Sequence, residues 1–221
     1  MVLEPARRFP LMCLTQDGLA LTHAEQAAEL CRAGVRWIQL RMKNDAASED
    51  VRFATAREVV GICRDHGTLC IVNDRPDLAV AAEADGAHLG RNDGDWREAR
   101  RILGPHRLLG GTVNNRADAA LAVAAGCLDY VGVGPLRFTA TKARLAPVLG
   151  EGGIRALLRQ LDGLPAWAIG GVRPEDLPGL RAAGAAGAAV SSAIYRHGRI
   201  VENVAAFHAA WAGCALNPNI S

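Results

Sequence analysis

Two aspartates stand just past the ends of short apolar runs. Residues 71–93 read IVNDRPDLAVAAEADGAHLGRND. Cys70-Ile71-Val72 leads into Asn73-Asp74, and Ala87-His88-Leu89 leads into Gly90-Arg91-Asn92-Asp93. An Ala-rich segment that opens on Pro76 separates them, with Pro where a helix can begin. The pattern is strand, helix, strand. If the strands are parallel neighbours, Asp74 and Asp93 reach one rim, where two hard oxygen ligands could share Mg²⁺ with substrate phosphates. Taken alone, the same residues also fit a helix cap at Asp74 and a solvated turn at Asp93.

Other chemistry-bearing residues fall at equivalent points. Residues 35–43 form a second strand in which Gln39, Arg41 and Lys43 share one face and Ile38, Leu40 and Met42 the other. In a helix-covered parallel sheet that polar face must point into a barrel or crevice, where it needs partners or a ligand. Thr112 follows Gly110-Gly111 in a fifth strand. Residues 136–144 contain Arg137, Thr139, Thr141, Lys142 and Arg144 and no acid, which suits an anionic group or an exposed loop. Gly170-Gly171 and Val190-Ser191-Ser192 end the last two strands and suit a phosphate, although the glycines also fit a tight turn. Together these groups imply a diphosphate with Mg²⁺ on one side and a monophosphate on the other. His88, set among small and apolar residues, reads as a hydrogen-bonded core histidine, not as a base. No nucleophile-and-base pair stands out.

The elements that must position these residues alternate regularly. Strands are expected at 11–14, 35–43, 69–72, 86–89, 108–112, 129–134, 166–169 and 187–190. Helices are expected after Thr22, which forms a capping box with Glu25, and at 48–66, 76–84, 96–103, 116–125, 151–161, 174–183 and 200–214. The 48–66 helix should turn Val51, Ala54, Val59, Ile62 and Cys63 inward. Eight βα units predict an α/β fold, a (β/α)₈ TIM barrel forming a single domain over 1–221, with its core at about 11–214. The runner-up is an open doubly wound sheet. Gly132 and Gly134 make no dinucleotide fingerprint, because the third glycine is absent and Pro135 intrudes.

Composition narrows the class. Of 221 residues, half are hydrophobic, enough for a sizeable core, and a net charge of +2 gives no basic field for nucleic acid. No apolar run is long enough to span a membrane, and no signal-peptide core is evident. Six cysteines without a Cys-x-x-Cys pair read as reduced packing residues of a cytoplasmic protein.

In family order, the chain carries Gln39-Leu40-Arg41-Met42-Lys43, Val72-Asn73-Asp74-Arg75-Pro76-Asp77-Leu78, Gly86-Ala87-His88-Leu89-Gly90 leading to Asp93, Tyr130-Val131-Gly132-Val133-Gly134-Pro135, Thr139-Ala140-Thr141-Lys142, Ile169-Gly170-Gly171-Val172 and Val190-Ser191-Ser192-Ala193-Ile194. This set, spanning Leu11 to Ile194, resembles the thiamine phosphate synthase (thiamine-phosphate pyrophosphorylase) family. The resemblance implies a transferase of thiamine biosynthesis. It would couple a hydroxymethylpyrimidine diphosphate to a thiazole phosphate, giving thiamine phosphate and pyrophosphate by Mg²⁺-assisted dissociative substitution. It implies that Gln39, Arg41, Lys43, Asn73, Thr112 and Lys142 hold the pyrimidine diphosphate. Asp74 and Asp93 would hold Mg²⁺, and Thr139, Thr141, Gly171, Val190 and Ser191 the thiazole phosphate. Lys142, Arg41 and Thr112 would be the catalytic residues. The implied partners are these small molecules, with neither nucleic acid nor membrane; a homodimer is left open.

Three departures accompany the resemblance. Thr112 stands where Ser is commoner. Leu136-Arg137-Phe138 replaces a more usual apolar, aromatic, proline run. Asn114-Asn115 occupies a neighbourhood where many members, and the related thiazole tautomerase, carry His. The alternatives are that tautomerase and a non-catalytic phosphate-binding barrel. The presence of Asp93 and the missing His favour the synthase.

Overall fold

A computed structural model describes residues 9–44, 46–138 and 147–213. Eight strands close into a barrel: β1 (Leu11–Leu14), β2 (Trp37–Leu40), β3 (Leu69–Asn73), β4 (Gly86–Leu89), β5 (Leu108–Val113), β6 (Tyr130–Val133), β7 (Ala166–Ile169) and β8 (Gly187–Val190). Each pairs in parallel with the next, and β8 closes on β1. The helices alternate with them: α1 (His23–Arg32), α2 (Glu49–Asp65), α3 (Pro76–Ala81), α4 (Trp96–Leu103), α5 (Arg116–Ala125), α6 (Gly150–Leu158), α7 (Leu177–Ala182) and α8 (Ile200–Ala212). The (β/α)₈ barrel expected from the alternation is therefore the observed architecture, and the open sheet is not.

Local sequence explains five of the helix starts. Thr22 accepts from the Glu25 N–H while the Glu25 carboxylate accepts from the Thr22 N–H, closing the expected capping box. Ser48, Asp95 and Asn115 cap α2, α4 and α5 from one side only, each side chain accepting the N–H three residues on, and Pro76 opens α3. Some expectations need correction. β2 ends at Leu40, so Arg41 and Lys43 lie beyond the paired strand. Their backbone is held there by side chains, as described below. Residues 174–176 form a 3₁₀ turn before α7, and α6 ends at Leu158. In α2 the buried stripe is Ala56, Val59, Val60 and Cys63, so Val51 and Ala54, off that stripe, face solvent.

Two cores result. Between strands and helices lies a broad layer that includes Ile38, Val59, Cys70, Leu109, Val131 and Phe207. Inside the barrel, Met12, Trp37, Ile71, Leu108, Tyr130, Trp167 and Ala189 form the floor. Trp37 meets Tyr130 and Trp167 edge-on, with ring centroids 5.0 and 4.8 Å apart. Gly110 makes this floor possible: a Cβ there would lie 2.2 Å from the Tyr130 ring and 2.5 Å from His88 Nδ1. The two-residue period that sends Trp37 into the floor lifts Gln39 above it and carries Arg41 and Lys43 to the C-terminal rim.

Candidate active site at the C-terminal rim

One cavity opens at that rim. All ten expected site residues that fall among the described ones line it: Gln39, Arg41, Lys43, Asn73, Asp74, Asp93, Thr112, Gly171, Val190 and Ser191. Thr139, Thr141 and Lys142 lie outside the described residues. The cavity has two unlike walls. Ends of β2 to β5 supply cations, carboxylates and a hydroxyl; ends of β7 and β8 supply Gly170-Gly171 and Val190-Ser191.

Register builds the first wall. Asn73 pairs with His88 across β3 and β4, and the Asp74 N–H continues the ladder to the His88 carbonyl at 2.8 Å. Asp74 then turns into the left-handed region, φ 64°, and Arg75 precedes α3 without any side-chain cap. Asp74 is thus no helix cap; it pairs with the Lys43 ammonium instead. Burial raises the Asp74 carboxyl above the ordinary range. Lys43 opposes that rise, and the Asp93 carboxyl, within hydrogen-bonding reach, adds to it. Asp93 is exposed, and its carboxylate folds back over Gly90, where a Cβ would lie 2.2 Å from Oδ2. Arg41 is half-buried; burial lowers its pKa, against the charges of Asp74, Asp17 and Asp93.

This donor set fits Mg²⁺. Two adjacent carboxylates suit an octahedral ion that draws its other ligands from water and phosphate. The described residues hold no group of three or more His, Cys, Asp or Glu for an all-protein cage.

Thr112 is held from below. His88 Nε2 lies 3.0 Å from Thr112 Oγ1, and Nδ1 lies 3.2 Å from the Tyr130 hydroxyl. Tyr130 is buried, and burial raises its pKa well above the ordinary phenol, so it keeps its proton. A buried phenol O–H needs an acceptor, and among the described residues His88 Nδ1 lies within its reach. Nε2–H then donates to Thr112, which leaves the Thr112 O–H free to donate into the cavity. His88 is the hydrogen-bonded core histidine that its surroundings predict.

Several supports escaped sequence reasoning. Thr15, fully buried, accepts from the Arg41 N–H at 3.1 Å and meets His23 Nδ1 at 2.8 Å. Asp17 accepts from the Lys43 N–H at 2.7 Å and meets His23 Nε2 at 3.1 Å. Against its partial burial, those bonds hold the Asp17 carboxyl below its usual range. The loop after β1 thus grips the extension of β2 that carries both cations. Buried Gln26 donates to the Gln16 and Leu21 carbonyls and accepts from the Gln16 N–H. Gln16 in turn accepts from Ser191 Oγ at 3.0 Å. Only the polar composition of residues 15–17 hinted at this. Asn114 and Asn115 are structural too. Asn114 Nδ2 donates to the Gly134 carbonyl, and Asn115 caps α5.

A closed parallel barrel whose polar groups gather on the C-terminal rim, charged side chains facing a glycine and serine backbone, defines the class of (β/α)₈ barrels with an anion-receptive mouth. Within that class the chain belongs to the thiamine monophosphate synthase family, whose model matches residues 11–194. It is 40% identical over 179 residues to a thiamine-phosphate synthase of Phocaeicola vulgatus, covering 79% of this chain and 85% of that one. It is 45% identical over 180 residues to a thiamine-phosphate synthase of Myxococcus xanthus, covering 81% of each. The solved thiamine phosphate pyrophosphorylase from Pyrococcus furiosus superposes with a TM-score of 0.84 at 26% identity, covering 95% of this chain and 98% of that one.

Proposed function

We propose that this chain is a transferase that joins a hydroxymethylpyrimidine diphosphate to a thiazole phosphate, releasing pyrophosphate and forming thiamine phosphate. One observation carries the reading: a single cavity sets Arg41, Lys43, Asp74 and Asp93 opposite Gly171, Val190 and Ser191. That arrangement suits a diphosphate at one wall and a monophosphate at the other. Family membership and relatives named as thiamine-phosphate synthases support it.

In the proposed reaction, the bond between the pyrimidine methylene carbon and the diphosphate oxygen breaks, with its electron pair leaving on pyrophosphate. The thiazole nitrogen lone pair then forms the new C–N bond. No enzyme nucleophile is required, which agrees with a His88 already engaged by two hydroxyls. Arg41 and Lys43 meet the diphosphate, and their charge counters that building on the departing oxygen. Gln39 and Asn73 orient the pyrimidine diphosphate, and Thr112 donates its free O–H to it. The backbone at Gly171 and the Val190-Ser191 turn hold the thiazole phosphate. Lys142, Thr139 and Thr141 join these groups by resemblance alone. Asp74 and Asp93 would hold Mg²⁺, which when bound supplies positive charge to the leaving pyrophosphate.

We place the activity in the cytoplasm. Among the described residues five cysteines are free, four of them buried, which suits a reducing compartment. No helix among the described residues is long and apolar enough to cross a membrane.

The test is pyrophosphate release by the purified protein with both substrates and Mg²⁺, omitting each in turn. Release that needs all three is expected. No release, with thiazole phosphate still bound, would overturn the reading in favour of a tautomerase or a binding barrel.

A further inference from the structure

Arg137 occupies the middle of the segment where this chain departs from the usual apolar, aromatic, proline run. Its guanidinium bonds to the chain itself, with the side chain still 37% exposed. Nη1 and Nη2 donate to the two oxygens of Asp176 at 2.5 and 2.6 Å, a forked pair, and Nη1 also reaches the Gly171 carbonyl at 3.2 Å. The Asp176 side chain is only 4% exposed and accepts further from the Arg173 N–H at 2.8 Å. Against its burial, these bonds hold its carboxyl below the usual range, so it stays charged.

The backbone beneath the pair is equally tight. Leu136 and Arg137 N–H donate to the Ile169 and Gly170 carbonyls, each at 2.9 Å. A Cβ on Gly170 would lie 2.6 Å from Pro135 Cβ, and one on Gly171 2.9 Å from Arg137 Cβ. Both glycines have positive φ, 79° and 72°. The stretch after β6 and the turn after β7 are therefore one stitched unit, with the ion pair at its outer edge.

We infer that Arg137 and Asp176 are positioning residues: their pair holds the Gly170-Gly171 turn in the shape that receives the thiazole phosphate. In this inference Arg137 acts through the turn and not on the phosphate: three of its five N–H donors go to Asp176 and the Gly171 carbonyl. The inference rests on the proposed reaction for the identity of the ligand. It separates the two substrates, since the pyrimidine wall lies across the cavity.

The experiment compares steady-state kinetics of the full chain with those of Arg137→Ala, Asp176→Asn and the double variant. The expected result is a rise of about tenfold in KM for thiazole phosphate, as loss of a bidentate charged contact warrants. KM for the pyrimidine diphosphate should stay within about twofold, and the double variant should be no worse than the worse single one. An unchanged KM for thiazole phosphate, or an equal rise in both KM values, would overturn it. Arg137→Lys, which keeps the charge and loses the fork, should fall between; it replaces Arg137→Ala if that variant melts early. If the unaltered chain shows no turnover, the functional reading has failed. Calorimetry with thiazole phosphate on the same proteins then decides the clasp: weaker binding by the variants supports it, and equal or absent binding overturns it.

Discussion

On the β2-to-β5 wall, side chains carry the charge. Arg41 is half-buried, Lys43 pairs with Asp74, Asp74 sits at φ 64°, and Asp93 crowds it with a second carboxylate. On the β7-to-β8 wall the groups are peptide bonds and the Ser191 and Ser192 hydroxyls, and Ser191 already donates to Gln16. The first wall is electrostatically unfinished, with like charges adjacent and burial opposing ionisation. In the second, the Gly170, Gly171 and Ser191 carbonyls and the Ser191 hydroxyl are held by neighbouring groups. Unfinished charge is what a bound metal and diphosphate would complete, and a settled backbone is what anchors a second substrate without altering its chemistry. The proposed division of labour follows: bond breaking at one wall, orientation at the other.

The comparison can be broken by variants, taken from the largest effect downward. Asp93→Ala should reduce Mg²⁺-dependent kcat by about 10³-fold or more, as loss of a charge-stabilising group does, while thermal melting stays close to that of the unaltered chain. Near-normal turnover would end the metal assignment. Tyr130→Phe removes the donor to His88 Nδ1 and frees the ring to change tautomer. A fall in kcat of about tenfold is expected, with KM for thiazole phosphate unmoved. A fall confined to thiazole binding would assign Thr112 to the wrong wall.

Lys43→Ala sharpens the charge argument through pH. Burial and Asp93 raise the Asp74 carboxyl, and Lys43 counters them. Without Lys43 the value rises further, so the acid limb of kcat/KM should move to higher pH, read from a pH–rate profile. An unmoved limb would mean that Asp74 ionisation does not control it. The sign for stability is opposite to that of an ordinary salt-bridged Asp. With a raised folded value, the contribution of protonated Asp74 is complete below the unfolded value of about 3.9 and is lost as pH rises through the folded value. Ser191→Ala should have the smallest effect. It removes the bond to Gln16 and should raise KM for thiazole phosphate by only about threefold, comparable to one neutral hydrogen bond, with kcat unchanged.

Much of this wall structure was legible because barrel geometry is periodic. Once β2 was placed, Gln39, Arg41 and Lys43 had to share a face, and a parallel barrel had to bring Asp74 and Asp93 to one rim. The extent of β2 was overestimated because alternation continues through Lys43. Pairing stops at Leu40, and Thr15 and Asp17 take over the backbone. No local pattern announces such a handover, since its partners lie some 26 positions away. Val51 and Ala54 misled for a related reason: an apolar residue at a helix start matches the inward stripe only if the helix phase is known to within one residue. Asn114 and Asn115 stood out as replacements for a His, and their bonds to Gly134 and α5 give them a structural role.

The sequence by itself determined the βα alternation, the capping box that starts α1, and the identity of the residues at the strand ends. These depend on spacing and on contacts within a few positions. Only the tertiary structure decided how those residues are held. The Arg137–Asp176 clasp joins groups 39 positions apart, the His88 bridge joins Thr112 to Tyr130, and the Ser191–Gln16 bond spans 175 positions. Side-chain partners at such separations are set by barrel closure, which brings β8 against β1 and the β6 loop against β7, and no periodicity along the chain encodes them.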